Sequence, residues 1–597
     1  MEEETKGWRK IRDIKLDKRK LTRRAKKVSA ATQRHAHRFI IRRIENVRLV
    51  SRQIITWLIL VGMVVAGMGI QLIWNQHGFI TDARASGGLY VEGTVGPINT
   101  LNPIYATSGA DTSVARLVFS SLYDYDSTGV LRQDVATGMK IEQDGRAYTV
   151  TIRDDVRWHD GEKLTAQDVE YTLNTIKDPA VRSPLRVNWV DVDVKATNET
   201  TIVFTLPATY AAFPQALTFP ILPKHILKDI SPALLRESTF SQEPVGSGPF
   251  VFRRLQAADT ISRHQVVHLI ANQDYYRGAP KLSRFELQVF DDESSLLSAI
   301  KAGEVSGASD ISPTSIDSIG KQYNITPVAL DSGVYLIFNT NNPLLKDKAI
   351  RKALQVGTDT TTIRAGIGGG VLPLDLPVLP SQLSGVTIPQ APATDVNKAN
   401  AILEEAGWKL KGSVRSKDGQ ALSITLTTSK KSEYDKVAQL VKDQWQKLGI
   451  SVQIRTVDAS SASSVFVQDT LQSRNFDVLV YELAIGADPD VYAYWHSSQI
   501  GQTGYNFANY SNAIADASLS SARSRLEPAL RSAKYKTFID RWLEDAPAIA
   551  LYQSVVEYVT NKNVDAVDPS TQLVTVSDRY TNLLYWTVAK DAVYKTP

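Results

Sequence analysis

The chain contains no cysteine among its 597 residues. This excludes disulfides, thiolate metal sites, cysteine nucleophiles and the lipidated cysteine of a lipoprotein, so any hold on a membrane has to come from an apolar helix. Histidine is scarce, with eight residues. Two of them, His264 and His268 in "SRHQVVHLIAN", fall on one side of either a strand or a helix. No carboxylate or third histidine stands at a suitable spacing, so no metal site is expected and the stretch reads as a strand running into a turn. A Gly-x-Ser-x-Gly elbow and a His-Glu-x-x-His helix are both missing, which removes the common hydrolase signatures. The Gly- and Pro-rich "GIGGGVLPLDLPVLPSQL" (366–383) lacks the Lys-Ser/Thr of a phosphate loop and reads as plain loop. Neither a cofactor nor an internal repeat is indicated.

Charge is unevenly placed. Residues 1–53 hold 18 Lys/Arg against six Asp/Glu, a net of +12, while the rest of the chain carries a net of −7. The large part is therefore mildly acidic and not a nucleic-acid-binding body. Between the two lies "IITWLILVGMVVAGMGIQLIW" (Ile54–Trp74), 21 residues without a formal charge. At about 1.5 Å per residue it extends about 31 Å, enough for a hydrocarbon core of about 30 Å. Trp57 and Trp74 suit the two interfaces, and the basic flank keeps residues 1–53 in the cytoplasm, with the large body outside. "ARA" (Ala83–Ala85) resembles a signal cleavage site, yet the apolar run is longer than a signal core, so an uncleaved anchor is expected. Gly62 and Ala66 form a small-residue pair at helix–helix spacing, which is common in spanning helices. In the tail, "HRFIIRRIENVRLVSRQ" mixes apolar and basic residues at helical spacing, consistent either with lying on anionic lipid or with a solvated topology signal.

From Gly87 onward strand and helix patterns alternate. "LYVEGTV", "AYTVTIR" (147–153), "TTIVFTL" (200–206) and "ALSITLTT" (421–428) read as strands. "SLLSAIKAGEV", "NKANAILEEAGW" and "YDKVAQLVKDQWQKLG" have helical periodicity, and the last runs through Gly449 into the strand "ISVQIRTVD", a unit of mixed α/β domains. In "DVRWHDGEKLTAQDVEYTLN" (155–174), His159 stands beside Asp160, with Glu162 and Asp168 following. Asp160-Gly161 is a turn signal and Thr165 with Asp168 a capping box, followed by the apolar face Val169, Leu173, Ile176. No nucleophile or metal site adjoins His159, so this stretch is expected to shape the chain and not to catalyse.

The same stretch, "VRWHDGEKLTAQDVEYTL", resembles the signature region of the family 5 solute-binding proteins of ABC transporters, the extracytoplasmic receptors for oligopeptides, dipeptides and nickel. The resemblance continues in family order through "TLNPIY" (100–105), "FSSLYDYDSTGVL", "GSGPF" (246–250), "NQDYYRGAPKLSRFELQVFDDESSLLSAIKAGEVSG", "YLIFNTNNPLLKDKAIRKAL", "ANAILEEAGW" and "ELAIGADPDVYAYWHSSQ", and so spans Gly87 to the C-terminus. It implies an α/β, two-lobed, periplasmic-binding-protein-like fold of the three-domain, peptide-binding kind, here preceded by one transmembrane helix. The expected division is a tail (1–53), a span (54–74), a linker (75–86), domain I (87–121 with 223–335 and 550–597), an inserted domain II (122–222) and domain III (336–549). Relatives that take peptides hold the ligand amine with an aspartate in the "DP" region. The matching residue is Asp488, with Asp490 second; a bare turn before "VYAYW" is the alternative for Asp488. Tyr492 and Trp495 add aromatic surface, and at least one aromatic of "YAYW" should pack inward. Tyr105 and Asn339 match cleft-lining parts of the family pattern.

The function implied is a monomeric, non-catalytic receptor that captures a peptide or similar solute and delivers it to ABC permease subunits. A sensor acting through the cytoplasmic tail, and an anchored hydrolase, are the alternatives. Hanging from its own helix departs from the lipoprotein or free periplasmic habit of most members.

Overall fold

The computed structural model describes residues 18–35, 50–257, 264–458, 466–588 and 590–594. The chain forms two units, Met1–Ala83 with Asp591–Pro597, and Arg84–Lys590. The first contains the helices Lys18–His35 and Ser51–Phe79. Within the second helix, Ser51–Trp74 contains an 18-residue window with a mean hydropathy of 2.1 and no buried residue, and is long and apolar enough to cross a membrane. The helix outruns the uncharged segment at both ends, because lack of charge limits what lipid accepts and not where helical hydrogen bonding stops. Much of the mixed basic and apolar stretch 37–53 lies outside the described residues.

The large unit is built on one mixed sheet. Ten strands follow each other in the order Ser451–Val457, Ser423–Ser429, Val478–Ala484, Tyr323–Phe338, Ala548–Asn561, Gly307–Ala308, Leu89–Val95, Arg284–Phe290, Gln265–Ala271 and Phe250–Gln256. Two long antiparallel strands, Tyr323–Phe338 and Ala548–Asn561, occupy its middle and run in register from Tyr323↔Asn561 to Ile337↔Ala548. They shift register between Ala329 and Gly333, where "LDS" interrupts an otherwise apolar run. Beyond that point successive residues serve opposite faces, as a two-residue period requires. Val334, Leu336 and Phe338 join a core with Trp445. Tyr335 and Ile337 join another with Trp495 and Trp542. Each large side chain so buried contributes roughly 1.5–3 kcal/mol. A separate core joins Tyr90, Phe285 and Trp586 to residues of the 122–222 segment such as Tyr148 and Phe204.

That segment contributes a four-stranded antiparallel sheet of Ala136–Glu142, Ala147–Ile152, Thr201–Thr205 and Asp193–Ala196, in that order. The strands expected at 147–153, 200–206 and 421–428 form as Ala147–Ile152, Thr201–Thr205 and Ser423–Ser429. The helices form as Glu293–Ala302, Val396–Glu405 and Ser432–Lys447, and Gly449, at φ +78°, turns the last into its strand. The Gly- and Pro-rich segment differs slightly from plain loop. Its Leu372–Pro373 adds to the outside of Ala548–Asn561, and Pro380–Gln382 forms one 3-10 turn.

Candidate functional site

The "WHDGEK" turn folds as expected. Gly161 takes φ +97°, the Glu162 amide donates to Asp160 Oδ1 at 3.2 Å, and Asp160 Oδ2 pairs with His225 Nε2 at 2.8 Å. Asp168 reaches back as a capping residue: its Oδ2 accepts from the Thr165 amide at 2.8 Å and the Thr165 hydroxyl at 3.1 Å. Its Oδ1 accepts from the Lys224 amide at 2.9 Å. His159 is clamped onto "GSG": the Gly246 amide donates to Nδ1 at 3.3 Å, and Nε2–H donates to the Gly248 carbonyl at 3.0 Å. These two bonds fix the neutral tautomer, and burial lowers the imidazole pKa to about 4. Both ring nitrogens are committed to backbone, so His159 has a structural role.

The loop Gly486–Asp490 follows the strand Val478–Ala484. Its start is pinned to the register shift of the central strand, where the amides of Ile485 and Gly486 each donate to the Asp331 carbonyl at 2.9 Å. Gly486 adopts φ +77°, a conformation suited to glycine, and its carbonyl accepts from Gln382 Nε2 at 2.6 Å. Asp488 is held by Arg531 from the helix Pro528–Asp545 in a two-pronged pair, 2.8 Å to Oδ2 and 2.6 Å to Oδ1, each side chain 14% exposed. Burial works against the Arg531 charge, and Asp488 more than offsets it.

Asp490 accepts from Arg523 Nε at 3.0 Å. Burial raises its carboxyl pKa, opposed by Arg523 and the Tyr210 hydroxyl. The Arg523 guanidinium also lies over the rings of Tyr210, at 4.8 Å, and Tyr492, at 4.5 Å. The Arg523 carbonyl accepts from the Ala211 amide at 2.9 Å. Residues 210–211 and 486–531 therefore meet across a polar contact.

Among the other expected residues, Tyr492 is half-buried and stacks on His496 at 4.0 Å. Trp495 is 1% exposed and packs edge-on against Trp542, making it the inward-facing aromatic of "YAYW". Tyr105 is also 1% exposed, with the Arg236 guanidinium 5.1 Å above its ring. These two are core residues with no open face toward a ligand, because large rings here gain more from filling the interior. Asn339 ties a knot, donating to the carbonyls of Arg474 and Phe476 and accepting from the Asn341 amide and Asn509 Nδ2, at 3.0–3.1 Å. It borders a polar cavity of about 310 Å³ with Thr425, Arg455, Arg474 and Asp477. His268 faces Glu286 across the ladder, its Nδ1 3.0 Å from the carboxylate Oε1.

Sequence reasoning missed Arg531, Arg523, Tyr210 and Asp331. The first three act over long sequence separations that leave no local trace. Asp331 carried a signal, an acid followed by Ser-Gly inside a strand-like apolar run, which marks an irregularity.

A family model described as bacterial extracellular solute-binding proteins, family 5 Middle, matches residues 130–504. The oligopeptide-binding protein AppA of Bacillus subtilis (strain 168) is 31% identical over 482 residues, covering 78% of this chain and 86% of the relative. The solved structure of AppA from Bacillus subtilis in complex with a nonapeptide superposes with a TM-score of 0.69 at 27% identity, covering 85% of this chain and 100% of that one. NikZ from Campylobacter jejuni, in complex with Ni(L-His), gives 0.71 at 26% identity, covering 84% and 99%. The mixed α/β fold is thus that of the periplasmic binding proteins. The chain belongs to family 5 of the bacterial extracellular solute-binding proteins, receptors of ABC import that bind a solute and are not enzymes.

Proposed function

We propose that this receptor captures a peptide, or a solute of similar size and polarity, outside the membrane and passes it unaltered to an ABC permease. The observation that carries the reading is the polar contact around Gly486–Asp490, where residues distant in sequence converge on a loop fixed to the central strand. A peptide enclosed there exchanges water for backbone-like hydrogen bonds and paired charges, which this polar, half-buried setting offers. The similarity to an oligopeptide-binding protein, over most of both chains, favours peptides over a metal chelate.

The proposed lobes divide at the two long strands. Domain I comprises 87–121, 223–335 and 550–597, domain II 122–222 and domain III 336–549, with the register shift near Asp331 as the hinge. Asp488, Asp490 and Tyr492 are the proposed ligand-side residues of domain III. Ser51–Trp74 is the proposed uncleaved single-pass anchor, with the basic residues before it cytoplasmic, and the receptor works as a monomer beside its permease.

The test is purification of the full chain from membranes in detergent, followed by mass spectrometry of released small molecules and thermal unfolding with added peptide. Peptides recovered intact, together with a raised Tm, are the expected result. Cleaved peptide would replace the reading with a hydrolase. Protease that digests the large body only after the cells are opened would overturn the topology.

A further inference from the structure

The strand Val478–Ala484 leads at its end into the Gly486–Asp490 loop. Its start, about 20 Å away at ~3.3 Å per residue, borders the polar cavity of about 310 Å³. Thr425, Arg455, Arg474, Asn341, Asn475 and Asp477 contribute to the lining. The cavity therefore stands apart from the loop on which the solute reading rests.

Two arginines on one cavity call for acceptors, and these two run short of them. Among the described residues Arg455 donates only through Nη2, to the Asn475 carbonyl, and its Nε–H is buried without a partner. Arg474 donates through Nη1 to the Leu471 carbonyl. Its Nη2 donates to the Gly501 and Gly504 carbonyls at 2.9 and 2.8 Å, yet its Nε–H is also buried and unmet. No carboxylate of the described residues comes within ion-pair distance of either guanidinium. Arg531 and Arg415, by contrast, face Asp488 and Glu404. Arg351 too lacks a carboxylate, but its three nitrogens make five bonds to carbonyls at 2.7–3.2 Å.

Thr427 adds a third orphan. It is 0% exposed, its hydroxyl has no partner, and it stands opposite Arg455 in parallel register, on the strand face it shares with Thr425. The acid in the lining is already spent. Asp477 accepts from Asn342 Nδ2 at 2.6 Å through Oδ1 and from the Thr425 amide at 2.7 Å through Oδ2. Two arginines against this one aspartate leave the lining with a net charge of +1. Arg474 is also held at φ +55°, a left-handed conformation that costs a non-glycine residue energy and concentrates at functional sites.

Water in the cavity meets the orphaned N–H groups but leaves the charge unmatched. An oxyanion supplies acceptors and counter-charge together, and the guanidinium fork is shaped for paired oxygens. We propose that this cavity is a second binding site, for a small oxyanion bearing a phosphate or carboxylate group, with Arg455 and Arg474 as its cationic contacts. The site goes beyond the receptor reading and does not depend on which solute the receptor carries.

The probes are inorganic phosphate and citrate, titrated calorimetrically into the full chain in detergent at constant ionic strength, with chloride as the background anion. The wild type should bind at least one of them at a single saturable site and gain Tm with it. Phosphate alone assigns a phosphoryl group, citrate alone a carboxylate, and both together the shared class. Arg455→Gln should weaken that binding at least about tenfold. Asn341→Asp, an exposed change that leaves the bonds of both arginines in place, should weaken it by a similar factor by adding a second acid to the lining. Lys417→Gln, which removes an exposed charge outside the lining, should change it less than about twofold. No saturable binding of either probe by the wild type overturns the assignment. Undiminished binding in Arg455→Gln or Asn341→Asp, or an equal loss in Lys417→Gln, overturns it as well. None of these results bears on the receptor reading, which stands or falls on the recovered peptides and their effect on Tm.

Discussion

The imidazole Nε2–H of His159 donates to the carbonyl of Gly248 at 3.0 Å, joining two stretches 89 residues apart. The Gly246 amide completes the clamp on Nδ1. A protonated ring would lose the second bond, since Nδ1–H would face an N–H donor. The prediction is that this imidazole stays neutral at pH 5, readable from its ring nitrogens by NMR, while an exposed histidine there is charged. His159→Ala, which removes both bonds, should cost about 2 kcal/mol in denaturant unfolding.

The glycines on the other side of that clamp have a steric reason. A Cβ on Gly246 would lie 1.9 Å from the Val118 carbonyl oxygen, and one on Gly248 2.6 Å from the Val118 carbonyl carbon. Backbone at the end of the helix Gly109–Val118 has little room to yield. Gly246→Ala should therefore destabilise by about 3 kcal/mol or more. Gly109→Ala, with nothing within 4 Å of the new Cβ, should be neutral to slightly stabilising. Chemical denaturation of the two variants separates crowding from backbone entropy.

For Asp488 and Arg531 a double-mutant cycle is the proper measure. Each single change, Asp488→Asn or Arg531→Gln, leaves a half-buried charge without its partner, whereas the double variant leaves none. The cycle should return a coupling of about 2 kcal/mol, above the ~0–1 kcal/mol of exposed pairs. Additive effects would mean that solvent screens the pair as it does a surface contact.

Capping offers a smaller, local test. Asp168→Ala removes the acceptor of the Thr165 amide, the Thr165 hydroxyl and the Lys224 amide. The expected cost is about 1–2 kcal/mol, at the upper end for helix caps because the Lys224 amide is orphaned as well.

These residues also mark how far the sequence could be read. Periodicity and turn chemistry are local, so the strand Ala147–Ile152, the Thr165–Asp168 cap and the helix Ser432–Lys447 with its glycine exit were legible. The site was less so. "GADPD" could be located by family resemblance, but that Asp488 is matched by Arg531, 43 residues on, and Asp490 by Arg523, 33 residues on, depends on tertiary approach. Aromatic identity misled in the same way. Tyr105 and Trp495 look the same in sequence whether they line a cleft or fill a core, and here packing took them inside.

Two buried groups pull the pH dependence in opposite directions. His159 titrates near 4 when folded, below its ordinary 6.5, so the unfolded chain takes up the proton first. Its contribution is complete above about pH 6.5 and declines as pH falls toward 4, by up to about 3 kcal/mol. Glu557, on the long strand Ala548–Asn561 beside Gly369 and Pro313, is raised by burial to about 7 and its Oε1 has no partner. Here the folded state takes up the proton first, so its contribution is complete below its ordinary 4.5 and declines as pH rises to about 7. Between about pH 4.5 and 6.5 the two slopes oppose each other. Relative to wild type, Glu557→Gln should gain stability as pH rises across that window. His159→Gln, freed of the unfolded-state proton uptake, should gain as pH falls. Denaturant midpoints at half-unit steps of pH check both, and parallel profiles for the two variants and the wild type would show that neither group titrates on folding.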